Sequence, residues 1–254
     1  MLSGNGPLES EAMAERCRGT LTRWTEVAPG LAIFRLAPES GRAFPAYAAG
    51  QYIALTREGC RLTTKVVDDA GHVSYRPAIH GDGSPAFGSV THSYSLSSAP
   101  FDTAATGEIE IYIGLERVGP GQFGRLTESL FRSENHVGDT VAYVNRIVGN
   151  FTLETRAKDA RHVLMVGTGT GLAPFVGMMK QAAHDARTGR GSDVQYTLIH
   201  AHRTPGELGY DAELLELADA HIAGFDFAYV RSVSRPAAED RRDARLCVGR
   251  ANNL

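Results

Sequence analysis

The chain has 254 residues, 43% of them hydrophobic and 22% charged, with 26 Lys+Arg against 29 Asp+Glu. That length accommodates two domains of ordinary size, and a net charge of −3 argues against nucleic acid or an anionic membrane as a partner. No apolar run is long enough for a transmembrane helix, and Cys17, Cys60 and Cys247 stand too far apart for a disulfide framework, an iron–sulfur set or a metal site, so a reducing, cytoplasmic setting is the default.

Residues 1–15 are polar, with Gly4, Gly6 and Pro7 and no apolar core of the signal-peptide kind, and read as a disordered extension. From Arg18 to Leu153 the apolar signals are short and alternating, as in Leu31–Leu36, Gln51–Leu55 and Glu108–Ile113. Turn residues such as Ala28-Pro29-Gly30 and Val137-Gly138-Asp139 separate them, which suggests an antiparallel barrel or sandwich. A polar stretch, Glu154–Ala160, closes this half and places one domain over 16–155 and a second over 160–254. There the grammar becomes strand, helix, strand. His162–Val166 predicts a buried strand, Phe175–Lys180 the start of a helix, Val194–His200 a strand, Glu207–Ala223 an amphipathic helix and Phe225–Val233 a further strand. That alternation implies a parallel sheet with crossover helices.

The run Gly167-Thr168-Gly169-Thr170-Gly171-Leu172-Ala173-Pro174 lies between the first strand and first helix of this half. Its glycines let backbone approach a pyrophosphate, the helix end offers free N–H groups, and Pro174 suits a first helical turn. The GxGxxG spacing is absent, as is an acidic residue at the end of the next strand, so the dehydrogenase fingerprint is not met.

In the first half, Thr91-His92-Ser93-Tyr94-Ser95-Leu96-Ser97-Ser98 follows Ala49-Gly50-Gln51-Tyr52 and precedes Ile111-Tyr112-Ile113, Gly124–Leu130 and Gly149–Leu153. On these segments, in this order and with the glycine run behind them, the chain resembles the ferredoxin–NADP reductase family, especially its bacterial members. The resemblance implies a Greek-key antiparallel FAD-binding β-barrel, then a Rossmann-like NADP-binding α/β domain. It implies that Tyr94 lies against the flavin ring and Ser95 near its N5, as the catalytic pair. His92, Ser93, Tyr112, Ile113, Gly124, Leu126, Thr127 and Thr170 would join them in holding FAD. Gly167, Thr168, Gly169, Thr170 and Gly171 would cradle the nicotinamide dinucleotide. Arg203, Ser234, Arg235 and Arg250 match segments that grip its 2′-phosphate, which favours NADPH at least tenfold, or about 1.4 kcal/mol. Tyr210 matches a position where an aromatic ring lies against adenine. The implied reaction is hydride transfer between nicotinamide and flavin, with single electrons exchanged with ferredoxin or flavodoxin. Arg16, Arg18 and Arg23 are candidates for a basic docking face, and a monomer is favoured. The alternatives are an NAD(P)H:flavin reductase, an oxygenase reductase component, or a non-catalytic nucleotide-binding fragment.

Three departures carry expectations of their own. His92 stands where the family has Arg, which predicts weaker or pH-dependent flavin binding. Arg57–Val90 is longer than a short hairpin and reads as a surface excursion, a flap near the flavin adenine or a partner-docking element, with strands at Val66-Val67 and His72–Tyr75. The chain stops at Asn252-Asn253-Leu254, short of the family's later strand–helix units, so the parallel sheet is expected to be incomplete, with an exposed edge.

Overall fold

The computed structural model describes residues 15–119, 122–123 and 125–251. The expected extension, apart from Glu15, lies outside them, as do Gly124 and the last three residues.

Ten strands and two short helices make the first half: β1 (Arg16–Ala28), β2 (Leu31–Pro38), β3 (Tyr52–Arg61), β4 (Thr63–Val67), β5 (Val73–Pro77), β6 (Phe87–Ser95), α1 (Pro100–Thr106), β7 (Ile109–Gly114), β8 (Arg117–Gly119), β9 (Gln122–Phe123), α2 (Arg125–Phe131) and β10 (Thr140–Val148). Six of them form one antiparallel sheet in the order β6-β3-β10-β1-β2-β7. Its two edges meet where Leu96 bridges Ile111 and the Ser97 N–H donates to the Glu110 carbonyl, which curls the sheet into a barrel. Period-2 patterning is the cause: inward Phe34, Leu36, Ile53, Leu55, Ile111, Val141 and Tyr143 fill one core. The β4–β5 hairpin forms a separate two-stranded sheet, with strands near those expected within the long insertion.

β7 is enclosed on both faces. Ile109, Ile111 and Ile113 belong to the barrel core, while Tyr112 packs into the second core, that of the α/β half.

A single turn, α3 (Leu153–Arg156), N-capped by the Thr152 hydroxyl, joins the halves. The second half is β11 (His162–Thr168), a 3₁₀ turn at Gly169–Leu172, α4 (Ala173–Arg187), β12 (Gln195–His202), α5 (Asp211–Asp219), β13 (Asp226–Val233) and β14 (Leu246–Val248). Its strands pair in parallel in the order β11-β12-β13-β14. Val176 and Met179 of α4 and Leu214 of α5 share a core with Met165, Leu198 and Phe227, so both helices cover one face. On the other face of β11, Leu164 is 66% and Val166 46% exposed.

One helix is shorter than expected. Glu207–Ala223 resolves into a 3₁₀ turn at Pro205–Glu207 and α5 from Asp211. Gly209 sits flush on the Tyr112 ring, where a Cβ would come within 2.8 Å of the hydroxyl, and Tyr210 adopts a left-handed φ of 62°. The chain cannot continue a helix through that pair.

Candidate functional site

The carboxyl ends of β11, β12 and β13, together with the chain after β14, surround a cavity of about 450 Å³. Thr168, Gly169, His202, Arg203, Ser234 and Arg250 line it. The glycine run builds one wall. Gly169 has a left-handed φ of 54°, and a Cβ on Gly167 would stand 3.0 Å from the Leu172 Cα. Of the residues expected around the dinucleotide, five therefore meet: Thr168, Gly169, Arg203, Ser234 and Arg250. Arg235 is exposed and outside the cavity wall, its N–H donating to the Arg203 carbonyl at 2.7 Å. Gly167 is buried at the strand end, and Gly171 has open space around it. Thr170 faces the barrel, its methyl 3.4 Å from where a Cβ on Gly114 would stand.

Glu207 organises the charge here. The His202 Nδ1–H donates to its Oε2 at 2.6 Å, Arg203 pairs with its Oε1 at 2.9 Å, and the N–H groups of Arg203 and Thr204 also point to it. Burial pushes the Glu207 carboxyl up, but the hydrogen bond and charge of His202 and then those of Arg203 outweigh it and hold the group below its ordinary value. His202 Nε2 is enclosed without a partner. Arg250 pairs with no carboxylate among the described residues. Deeper in the sheet, the His200 Nδ1–H donates to Tyr229, whose hydroxyl donates to Asp211. Burial, with a smaller push from His202, drives His200 down to about 3, so it is neutral.

The end of β6 is built differently. Even-numbered residues of the strand turn inward, so His92 and Tyr94 share one face, and exposed Thr91 and Ser93 the other. Ser95 closes the strand opposite Tyr52, and Ser97 and Ser98 lie buried in the next turn. The Tyr94 ring packs on the barrel core and its hydroxyl is buried without a partner. Burial, with Glu116 adding to it, pushes that hydroxyl far up. Arg125 donates to Glu116 at 2.8 Å, while His92 Nδ1 is 3.9 Å from the same carboxylate. Burial holds the His92 imidazole below its ordinary value against the pull of Glu116. The β4–β5 hairpin folds back here, with the Tyr75 ring 4.7 Å from the Arg125 guanidinium.

The other residues expected around a flavin are less accessible. Tyr112 and Ile113 are 2% and 1% exposed, and Leu126 is fully buried in the barrel core. The Thr127 hydroxyl already accepts the Glu116 N–H at 2.9 Å. Gly124 lies outside the described residues.

A family profile described as an oxidoreductase NAD-binding domain matches residues 165–248, the stretch that builds the cavity. The flavohemoprotein of Bordetella pertussis is 29% identical over 186 residues, which is 73% of this chain and 37% of that protein. In fold the chain is similar to a ferredoxin NADP+ reductase from Neisseria gonorrhoeae solved with FAD and NADP bound (TM-score 0.61, 20% identity, 94% of this chain and 74% of that one). It is equally similar to the cytochrome b5 reductase domain of Ulva prolifera nitrate reductase (TM-score 0.61, 19% identity, 92% and 78%). The likeness to these solved structures shows the shared two-domain fold, and the profile match shows an NAD-binding domain of the oxidoreductase type over residues 165–248. It spans little more than a third of the flavohemoprotein it matches.

Tyr210, expected against adenine, is half-buried and tied down at its hydroxyl. Its hydroxyl lies 2.7 Å from Ser97 Oγ and 3.0 Å from Glu110 Oε1, and its ring stands edge-on to Tyr112. It forms part of the seam between the halves, where Lys180 of α4 reaches Glu213 at 3.0 Å, Asp102 at 3.7 Å and Glu110 at 3.8 Å. Glu110 also takes Arg35 at 3.0 Å. Sequence reasoning named His202 only as part of the strand end before Arg203 and did not single out Glu207 or Glu116. For Glu207 a signal existed: Thr204-Pro205-Gly206-Glu207 is a capping box, and it forms. Nothing in the local sequence marks Glu116 as the partner of Arg125.

Proposed function

We propose that this chain is an FAD-dependent oxidoreductase that passes electrons between NADPH and a one-electron carrier protein, ferredoxin or flavodoxin. The observation that carries the reading is the cavity beside the glycine turn, which Arg203, Ser234 and Arg250 line together. An Arg pair with a hydroxyl is suited to a dianionic phosphate, which separates NADPH from NADH. Thr168 and the backbone of Gly169–Gly171 would carry the pyrophosphate. Arg203, Ser234 and Arg250, with Arg235 beside them, would carry the 2′-phosphate.

Residues 16–155 would hold the flavin and residues 160–254 the nucleotide. Two observations fit a flavin at the β6 end. The buried Tyr94 hydroxyl is left for a ligand to satisfy, and Thr170 of the glycine turn stands against the barrel at Gly114. Bound flavin would supply hydride acceptance at N5 and two-to-one electron conversion. Tyr94 would offer a flat face, Ser95 a hydroxyl toward N5, and the buried seam would fix the halves relative to each other. Arg125 must turn from Glu116 to meet a pyrophosphate.

Anaerobic titration with NADPH tests the reading. Protein with flavin bound should bleach in the visible, and cytochrome c reduction should then require added ferredoxin or flavodoxin. A protein that binds no flavin defeats it. Bound flavin that NADPH never bleaches points to a nucleotide-binding module without catalysis. A second reading, a reductase for free flavin, an oxygenase or a haem acceptor, is favoured by the flavohemoprotein likeness. Turnover with such an acceptor and none with ferredoxin or flavodoxin would select it.

A further inference from the structure

Among the described residues, one enclosed polar side-chain atom without a partner belongs to a residue lining the dinucleotide cavity: Nε2 of His202. Its side chain is 9% exposed, and the ring is clamped by the short Nδ1–H bond to Glu207. Nε2 lies 3.7 Å from where a Cβ on Gly169 would stand, which sets it beside the glycine turn. When Nδ1 holds the only ring hydrogen, Nε2 turns a lone pair toward the glycine turn. That lone pair repels a phosphate oxygen, and one added proton makes the same atom a charged donor.

We propose that His202 binds a phosphate group of the nicotinamide dinucleotide through Nε2–H as an imidazolium, so that the nucleotide enters together with one proton. The inference rests on the dinucleotide reading above. Solvent supplies the proton, which goes to Nε2, and no other bond changes. The groups facing the ring set the balance. Glu207, from the 3₁₀ turn, favours the imidazolium. Arg203 beside it and Arg250 across the cavity oppose it. His200, two residues back on β12, is neutral. Tyr112 of β7 directs its hydroxyl to the Glu207 carbonyl at 3.4 Å and stays uncharged. Phosphate entry adds negative charge beside the ring and tips the balance toward protonation.

Calorimetric titration of the full chain with NADP+ at pH 8, in two buffers of different ionisation enthalpy, counts the protons. Wild type should take up most of one proton, and its affinity should weaken about tenfold from pH 6.5 to 8.5. His202→Gln should lose both the uptake and the pH dependence, and bind about tenfold more weakly than wild type at pH 6.5. Titration of the 2′-phosphate itself is common to both proteins and drops out of the difference. Glu207→Gln, a second route should the first variant misfold, should move the pH dependence to lower pH. An NAD+ titration locates the phosphate. Uptake with both dinucleotides assigns the pyrophosphate, and uptake with NADP+ alone assigns the 2′-phosphate. NADP+ binding with no His202-dependent uptake overturns the inference and leaves the dinucleotide reading standing. No NADP+ binding by wild type overturns both.

Discussion

At the end of the parallel sheet, Arg250 and Ser234 stand open on a cavity, and Arg203 gives only one side to Glu207. At the end of β6, Arg125 and His92 both face Glu116, and Tyr75 lies over the guanidinium. On the proposed reading, the first region is arranged for an anion before one arrives, and the second, whose charge is already answered, would exchange an internal partner for a ligand. That exchange is cheap, because a half-exposed ion pair contributes about 0–1 kcal/mol. On that reading, specificity would lie in the cleft and adaptability at the strand end.

The largest effect should come from removing the seam that joins the two regions. Lys180→Met leaves Glu110, Asp102 and Glu213 without their shared cation, and should cost about 3 kcal/mol in urea unfolding. A loss below about 1 kcal/mol would show that the regions are held by apolar packing alone. Acid should act mainly through the α/β half. His200 is held near 3 in the folded chain against an ordinary 6.5, so the unfolded chain binds the proton first. Its contribution is complete above pH 6.5 and is lost as pH falls from there toward 3, at about 1.4 kcal/mol per pH unit. His200→Gln should flatten this limb, measured as the unfolding midpoint at pH 7 and pH 5. An unchanged limb would place the acid sensitivity elsewhere.

The cleft itself is tested by Arg203→Ala with Arg250→Ala. The pair should lose at least tenfold, about 1.4 kcal/mol, in NADPH over NADH preference by kcat/KM, with flavin content unchanged. The smallest effect has the opposite sign. Glu116→Gln frees Arg125 and should tighten flavin binding by less than about 1 kcal/mol in a fluorescence titration, leaving NADPH preference alone. Weaker flavin binding would mean that Glu116 positions Arg125 rather than restrains it.

What the sequence disclosed follows the range of the interactions involved. The glycine turn, the strands around it and the guanidinium groups at the strand ends were legible, because turn chemistry and strand alternation are written within a few residues. The β4–β5 hairpin was legible for the same reason. The hydroxyl partners of Tyr210, Ser97 and Glu110, were not legible because they come from the other half of the chain. The expected helix over Glu207–Ala223 ran too long because its break depends on Tyr112 pressing against Gly209. The self-pairing of Arg125 with Glu116 is likewise a tertiary fact with no local mark.

β7 gives its odd residues to one core and Tyr112 to the other. Opening either half would strip one wall from its neighbour and wet apolar surface on both sides of the same strand. The chain should therefore denature as a single cooperative block, with the amides of β7 among the last to exchange hydrogen, and a protease cutting at the α3 connection should release no barrel that survives by itself.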